Sequence, residues 1–231
     1  MRKSIKDIAI GEIKRKTRSG ILELNNYGLY SLEGIEKLSD MGIIILNIGG
    51  NNLSDLDGIE HLSDLKELHA SGNNLSSLHG LENNGNITKI LVNKNKIVDL
   101  ADVMFPPLTK RLYIAGNPLK SLNGLETLKP LEWLDVNNTE IESLIPLNKL
   151  EKLRYLNCDS CNLKSLEGIE KIESLDDFYF DFNSCTQYYT HLNTVEEIRR
   201  KVMTELHLKP GDELRGAASI SDTGLFDFKI N

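Results

Sequence analysis

The stretch Leu65-Lys66-Glu67-Leu68-His69-Ala70-Ser71-Gly72-Asn73-Asn74-Leu75-Ser76-Ser77-Leu78 fits the frame L-x-x-L-x-L-x-x-N-x-L-x-x-L, with Ala70 in one leucine position. Downstream the frame returns at Ile87, Ile90, Val92, Asn95, Ile97 and Leu100, then at Leu108, Leu112, Ile114, Asn117, Leu119 and Leu122. It continues at Leu131, Leu134, Val136, Thr139, Ile141 and Leu144, and at Leu153, Leu156, Cys158, Cys161, Leu163 and Leu166. Leu175, Phe178, Phe180 and Asn183 form the last copy. Upstream lie Leu46, Ile48, Asn51, Leu53 and Leu56, and the weaker Leu22, Leu24, Tyr27, Leu29 and Leu32. The first apolar residue of each L-x-L falls at 22, 46, 68, 90, 112, 134, 156 and 178, a spacing of 24 once and 22 six times. The fifth unit is irregular, with Leu108 four residues before Leu112 and next to Pro106-Pro107. A fixed period of this length marks a solenoid, because one unit cannot bury its apolar face alone and stacks on its neighbours.

Each L-x-L predicts a short strand, and about eight of them stack into a parallel sheet roughly 34 Å along its axis, seven steps of about 4.8 Å. The leucines point inward. Asn51, Asn73, Asn95, Asn117 and Asn183 sit where the chain leaves the strand, placed to bond backbone groups that have no regular partner. Tyr27, Thr139 and Cys161 break that ladder. The other half of each unit reads Leu56-Asp57-Gly58-Ile59-Glu60-His61-Leu62 and its analogues, which predicts a glycine turn and a single 3-10 turn on the convex side. The fold class is therefore an α/β solenoid, a leucine-rich repeat horseshoe with helical caps. The expected organisation is an N-terminal cap over 1–20, repeats over 21–185, and a cap helix with a tail over 186–231. Ile5, Ile8 and Ile13 predict one apolar face on an N-terminal helix that Ser4 and Asp7 open. Thr194-Val195-Glu196-Glu197 opens a clearer helix, with Val195, Ile198, Val202 and Leu206 on one side and Lys209-Pro210-Gly211 to stop it. Leu225 to Ile230 alternates as a strand would.

The composition narrows function. Of 231 residues, 40% are apolar and 26% charged, which excludes a disordered chain. The net charge of −7 and pI near 5.3 disfavour a nucleic-acid-coating protein. No apolar run is long enough to cross a membrane, and the charged N-terminus is no signal peptide. Three cysteines make no disulfide framework. These features predict a cytoplasmic monomer that binds no nucleic acid and no membrane; a nuclear protein or an effector exported without a signal peptide would read the same way.

The 22-residue unit with its L-x-G-I/L-E-x-L half resembles the short leucine-rich repeat subfamily over residues 21–185. That subfamily includes the leucine-rich regulatory subunits of protein phosphatase 1 and, as a second resemblance, the internalins. Gly80-Leu81-Glu82-Asn83-Asn84 with Ile87-Thr88-Lys89-Ile90, and Ile198-Arg199-Arg200-Lys201-Val202-Met203, look like the phosphatase-subunit family. Leu144-Ile145-Pro146-Leu147 looks more like an internalin repeat. The resemblance implies a non-catalytic interaction scaffold, with a phosphatase catalytic subunit as one implied partner. The alternative it implies is a bacterial or viral effector or host-interaction protein with another protein partner.

Repeat solenoids bind on the concave sheet, and strand alternation says which side chains face it. From the fifth unit onward this face carries Tyr113, Trp133, Asp135, Tyr155, Asn157, Asp159, Asp177, Tyr179 and Asp181. It gathers the one tryptophan and three of the seven tyrosines among acids. Exposed aromatics among charges compose interaction hot spots, and acids favour a partner with a basic or mixed surface. In the phosphatase-subunit family the same face is acidic and aromatic. Aligned from the C-terminal end, Asp135 and Tyr179 match by type, while Asn157 stands where that family has Trp and Tyr155 where it has an acid.

Three other motifs point elsewhere. Cys158-Asp159-Ser160-Cys161 has metal-ligand spacing, but no second pair follows, and both cysteines fill repeat positions. His69 stands two residues from Glu67, yet two neighbours on one strand do not make a mechanism. Lys14-Arg15-Lys16-Thr17-Arg18 reads as the solvated face of the cap. The expectation is no enzyme, no cofactor and no metal.

Overall fold

The computed structural model describes residues 3–206. Eight parallel strands carry the repeat: Ile21–Glu23 (β1), Ile45–Asn47 (β2), Glu67–His69 (β3), Lys89–Leu91 (β4), Arg111–Tyr113 (β5), Trp133–Asp135 (β6), Tyr155–Asn157 (β7) and Asp177–Tyr179 (β8). They pair in chain order, and Leu22, Leu46, Leu68, Ile90, Leu112, Leu134, Leu156 and Phe178 stand side by side in one row. All of that row except Phe178 is fully buried, and Phe178 ends it, partly buried against the core. The chain has the leucine-rich repeat fold.

The turns show why the frame needs its polar letters. The Asn73 side chain accepts the Leu53 N–H at 3.0 Å and donates to the carbonyls of Ile48 and Ala70, both at 3.0 Å. Asn51, Asn95, Asn117 and Asn183 repeat this pattern, so each rung ties three stretches of backbone from neighbouring units. Thr139 replaces the rung with a hydroxyl that donates to Val136 O at 2.7 Å, and its Oγ1 lies 3.2 Å from Cys161 Sγ. Neither reaches the N–H of Leu119 or Ile141, which meets no acceptor among the described residues.

On the convex side short 3-10 turns follow Gly58, Gly80, Gly124 and Gly168. Gly124 has φ +98° and its missing Cβ would stand 2.2 Å from Leu100 O, so both conformation and space demand glycine there. In three units the glutamate of the G-I/L-E motif has a local task that spacing alone does not reveal. Glu82, Glu126 and Glu170 fold back and accept the N–H of the glycine two residues earlier, at 2.8, 2.6 and 2.7 Å. The extra residues of the first spacing lengthen one 3-10 run, Ile35–Met41, which ends at Gly42 in the left-handed region.

Two expectations are corrected. In the fifth unit Thr109, not Leu108, holds the inward position: Thr109 is fully buried and Leu108 is 50% exposed. Thr109 is 22 residues from both Ile87 and Leu131, so the stacked register prevails over side-chain polarity. At the N-terminus the cap is broken into pieces. Lys3–Ser4 pairs in parallel with Leu29–Ser31, a 3-10 turn spans Ile5–Asp7, and helix α1 spans only Ile10–Lys16. The chain is extended at Ile8 and Ala9, between the 3-10 turn and α1, where the apolar spacing predicts helix. Ile5, Ile8 and Ile13 nevertheless all reach the core, and the Asp7 carboxylate accepts from the Ser4 N–H and hydroxyl at 2.8 and 3.0 Å. Thr17–Arg18 then pairs antiparallel with β1.

Helix α2, Val195–Glu205, opens with Thr194 accepting the Glu197 N–H at 3.1 Å while Glu197 accepts the Thr194 N–H at 3.1 Å. Ile198 and Val202 are buried. Tyr189 anchors this end, donating its hydroxyl to Glu205 at 2.6 Å. The stop at Lys209-Pro210-Gly211 and the alternation at Leu225–Ile230 lie outside the described residues.

Candidate functional site

The strand register brings the sequence-derived candidates together on the C-terminal half of the concave face. Trp133, Tyr155 and Asp177 lie side by side in one row, next to Arg111. Tyr113, Asp135, Asn157 and Tyr179 form the next row. Asp159 and Asp181 follow two residues beyond Asn157 and Tyr179.

The aromatics do more than share a face. Trp133 and Tyr155 stack with ring centroids 3.5 Å apart and planes 6° from parallel. Tyr113 closes on Trp133 at 6.2 Å, and Tyr179 on Tyr155 at 5.5 Å. Four rings from four consecutive strands thus form one continuous ridge. Alternation predicts the face but not this contact, which follows from the register placing Trp133 opposite Tyr155. The indole N–H of Trp133 is buried without a hydrogen-bond partner among the described residues. The ridge grows more exposed toward the C-terminal end, where Tyr179 is 47% exposed.

The acids beside the ridge are held by backbone and amide groups. Asp135 Oδ1 accepts from the Asn137 side chain at 2.6 Å and from its N–H at 3.2 Å. Asp159 Oδ1 accepts the Asp181 N–H at 2.6 Å, and Asn157 Oδ1 accepts the Asp159 N–H at 3.0 Å. Burial, and then the charges of Asp181 and Asp135, push the Asp159 carboxyl up, against the Asp181 hydrogen bond. Burial and the Asp135 charge likewise push the Tyr155 phenol up. Negative charge is concentrated here, and a cationic side chain of a partner would relieve it.

Elsewhere the motifs resolve locally. His69 Nε2 lies 3.0 Å from Glu67 Oε2, and Lys89 Nζ lies 3.2 Å from the same oxygen, forming a small ion-paired cluster on β3 and β4. Cys158 and Cys161 take the inward and ladder positions. Burial pushes both thiols up, Cys158 strongly, and Cys185 to about 11. Such thiols stay protonated at neutral pH and are poor nucleophiles. No group of three His, Cys, Asp or Glu among the described residues is placed to hold a metal. The basic run wraps the first strand. Arg15, Lys16 and Arg18 line a shallow hollow of about 510 Å³ with Glu12, Ile21 and Glu23. Lys3 and Lys16 sit over the Tyr27 ring, whose hydroxyl donates to Glu12 at 3.0 Å. No described helix is long and apolar enough to cross a membrane.

No protein-family model matches the chain, and no curated protein matches it by sequence. Solved structures do. An internalin C2 of Listeria monocytogenes shares 23% identity at a TM-score of 0.66, over 75% of this chain and 77% of its own. An internalin (inlF) of the same species shares 22% at 0.63, over 71% of this chain and 48% of its own. A leucine-rich repeat protein of Leptospira interrogans shares 20% at 0.55, over 70% and 48%. The chain thus spans about half the length of the latter two. At these identities the likeness is one of fold.

Proposed function

We propose that this chain is a non-catalytic protein-binding module whose C-terminal concave face grips a partner with a basic or mixed surface. The observation that supports this most is the continuous ridge of Tyr113, Trp133, Tyr155 and Tyr179 among Asp135, Asp159, Asp177 and Asp181. The rings offer large apolar area with little side-chain entropy to lose, and the acids steer and pair with Lys or Arg. Rigidity comes from the stacked units behind them, so the surface is ordered before the partner arrives.

Two narrower versions share this surface. Regulation of a protein phosphatase draws on the type matches at Asp135 and Tyr179. A microbial interaction protein draws on the internalin-like Leu144-Ile145-Pro146-Leu147 unit. Capture from native lysate with the wild type and with Trp133→Ala/Asp135→Ala/Tyr179→Ala, read by mass spectrometry, tests them together. Circular dichroism verifies that the variant is folded. A phosphatase catalytic subunit held by the wild type and lost by the variant supports the first version. Loss of a different protein supports the face and discards the phosphatase. Retention of every specific partner by a folded variant refutes the concave-face reading.

A further inference from the structure

The chain leaves each strand through one residue in the left-handed region, just before the ladder position. Eight units give an internal series: Asn26, Gly50, Gly72, Lys94, Gly116, Asn138, Ser160 and Phe182, with φ between 53° and 69°. Glycine and asparagine suit this conformation, lysine and serine are small departures, and a bulky aromatic ring is the outlier. Phe182 is also 83% exposed, more than any other large hydrophobic residue described.

The surrounding turn leaves Phe182 no relaxed alternative. Asn183 donates to Cys158 O and Phe180 O, both at 2.8 Å, and its own N–H bonds Thr186 Oγ1 at 3.1 Å. Thr186 Oγ1 in turn donates to Phe180 O at 2.7 Å. Backbone on both sides is fixed, so the ring is held outward. Nearby rings behave otherwise: Phe178 and Phe180 stack at 4.8 Å and Phe180 meets Tyr189 edge-on, both packed toward the core. Phe182 joins no ring contact among the described residues. A strained and overdetermined residue that contributes nothing to the core points to function.

Its position says which function. Phe182 follows Asp181 directly and lies in the turn that leaves β8, the strand that carries Tyr179, the exposed end of the ridge. Asp181 stands next to it in the chain and Asp159 accepts the Asp181 N–H at 2.6 Å, so the charged groups at this turn are acidic. We propose that Phe182 is an anchor residue of the concave-face interface, packing against apolar side chains flanked by Lys or Arg on the bound chain. This rests on the concave-face reading above and adds the residue that sets which partners fit.

Phe182→Asn tests it, because asparagine keeps a residue that tolerates the turn and removes only the ring. The probe is a 12-residue peptide selected from a random phage-displayed library on the wild-type protein, chosen because Trp133→Ala abolishes its binding. If Phe182 is an anchor, Phe182→Asn weakens that peptide about tenfold or more, while the melting temperature rises by about 2–4 °C as the strain is relieved. Unchanged peptide affinity overturns the inference and leaves the concave-face reading standing. A lower melting temperature overturns it differently, by showing that the ring is held by the fold itself. If no selected peptide depends on Trp133, the concave-face reading fails first and this inference with it.

Discussion

Thr109 offers the sharpest test of how the units stack. Its side chain is fully buried at a position that Leu65, Ile87, Leu131, Leu153 and Leu175 fill in other units, and its hydroxyl has no hydrogen-bond partner among the described residues. Mutational data place the cost of burying an unpaired hydroxyl at about 1–3 kcal/mol. Valine has nearly the same shape and adds apolar surface where the hydroxyl was. Thr109→Val is therefore expected to stabilise the protein by about 1–2 kcal/mol, and a domain of this size gains about 2–4 °C in melting temperature per kcal/mol. The companion variant separates the two possible frames. Leu108 is 50% exposed, so Leu108→Ala is expected to change stability by no more than about 0.5 kcal/mol. If Leu108 were the inward leucine, the same change would cost about 2–5 kcal/mol. Urea unfolding followed by circular dichroism measures both, with a constant slope confirming that the same surface is exposed. A less stable Thr109→Val, or a Leu108→Ala that loses more than about 2 kcal/mol, would refute the assignment.

Three further predictions follow the same physics. Gly124→Ala is expected to destabilise by more than about 2 kcal/mol, since alanine there meets both an unfavourable φ of +98° and Leu100 O at 2.2 Å; thermal unfolding at wild-type level would contradict this. Thr139→Asn with Cys161→Asn is expected to add about 1–2 kcal/mol by giving Leu119 and Ile141 N–H their acceptors, visible as slower amide exchange at those two sites. Burial pushes the Glu67 carboxyl up, but the hydrogen bonds from His69 and Lys89 outweigh it, so it titrates below its ordinary 4.5. A depressed carboxylate stabilises the fold above that ordinary value and loses the contribution as pH falls through its folded value. The stability advantage of wild type over Glu67→Gln should therefore shrink on acidification below pH 4.5; an advantage that grows on acidification would reverse the sign of the argument.

The sequence carries the repeat axis because leucine spacing, asparagine rungs and turn glycines are each demanded by a separate part of the unit and agree. That agreement places every strand centre from Leu22 to Phe178, and alternation then names the concave rows. Thr109 escapes because an apolar pattern search moves to the adjacent Leu108, although counting by 22 from Leu131 reaches the threonine. The N-terminal isoleucines carry helical spacing, but the pairing of Lys3–Ser4 with Leu29–Ser31 is non-local and leaves no trace in a local window. The stacking of Trp133 on Tyr155 depends on side-chain rotamers, which alternation does not encode. Phe182 lies outside the strand, where inward–outward alternation has stopped, and only comparison of the eight turn positions exposes it.

The interrupted ladder also has a mechanical meaning. Where asparagines link adjacent turns through three bonds each, the solenoid is stiff against opening along that edge. At Thr139 and Cys161 a hydroxyl and a thiol still reach Val136 O, but they leave the Leu119 and Ile141 N–H unlinked. The two softened turns belong to the strands that bear Trp133 and Tyr155. With Tyr27 in the first unit, three of the eight turn positions thus lack the amide rung, and opening of the solenoid along that edge is expected to be easier there than across the asparagine rungs.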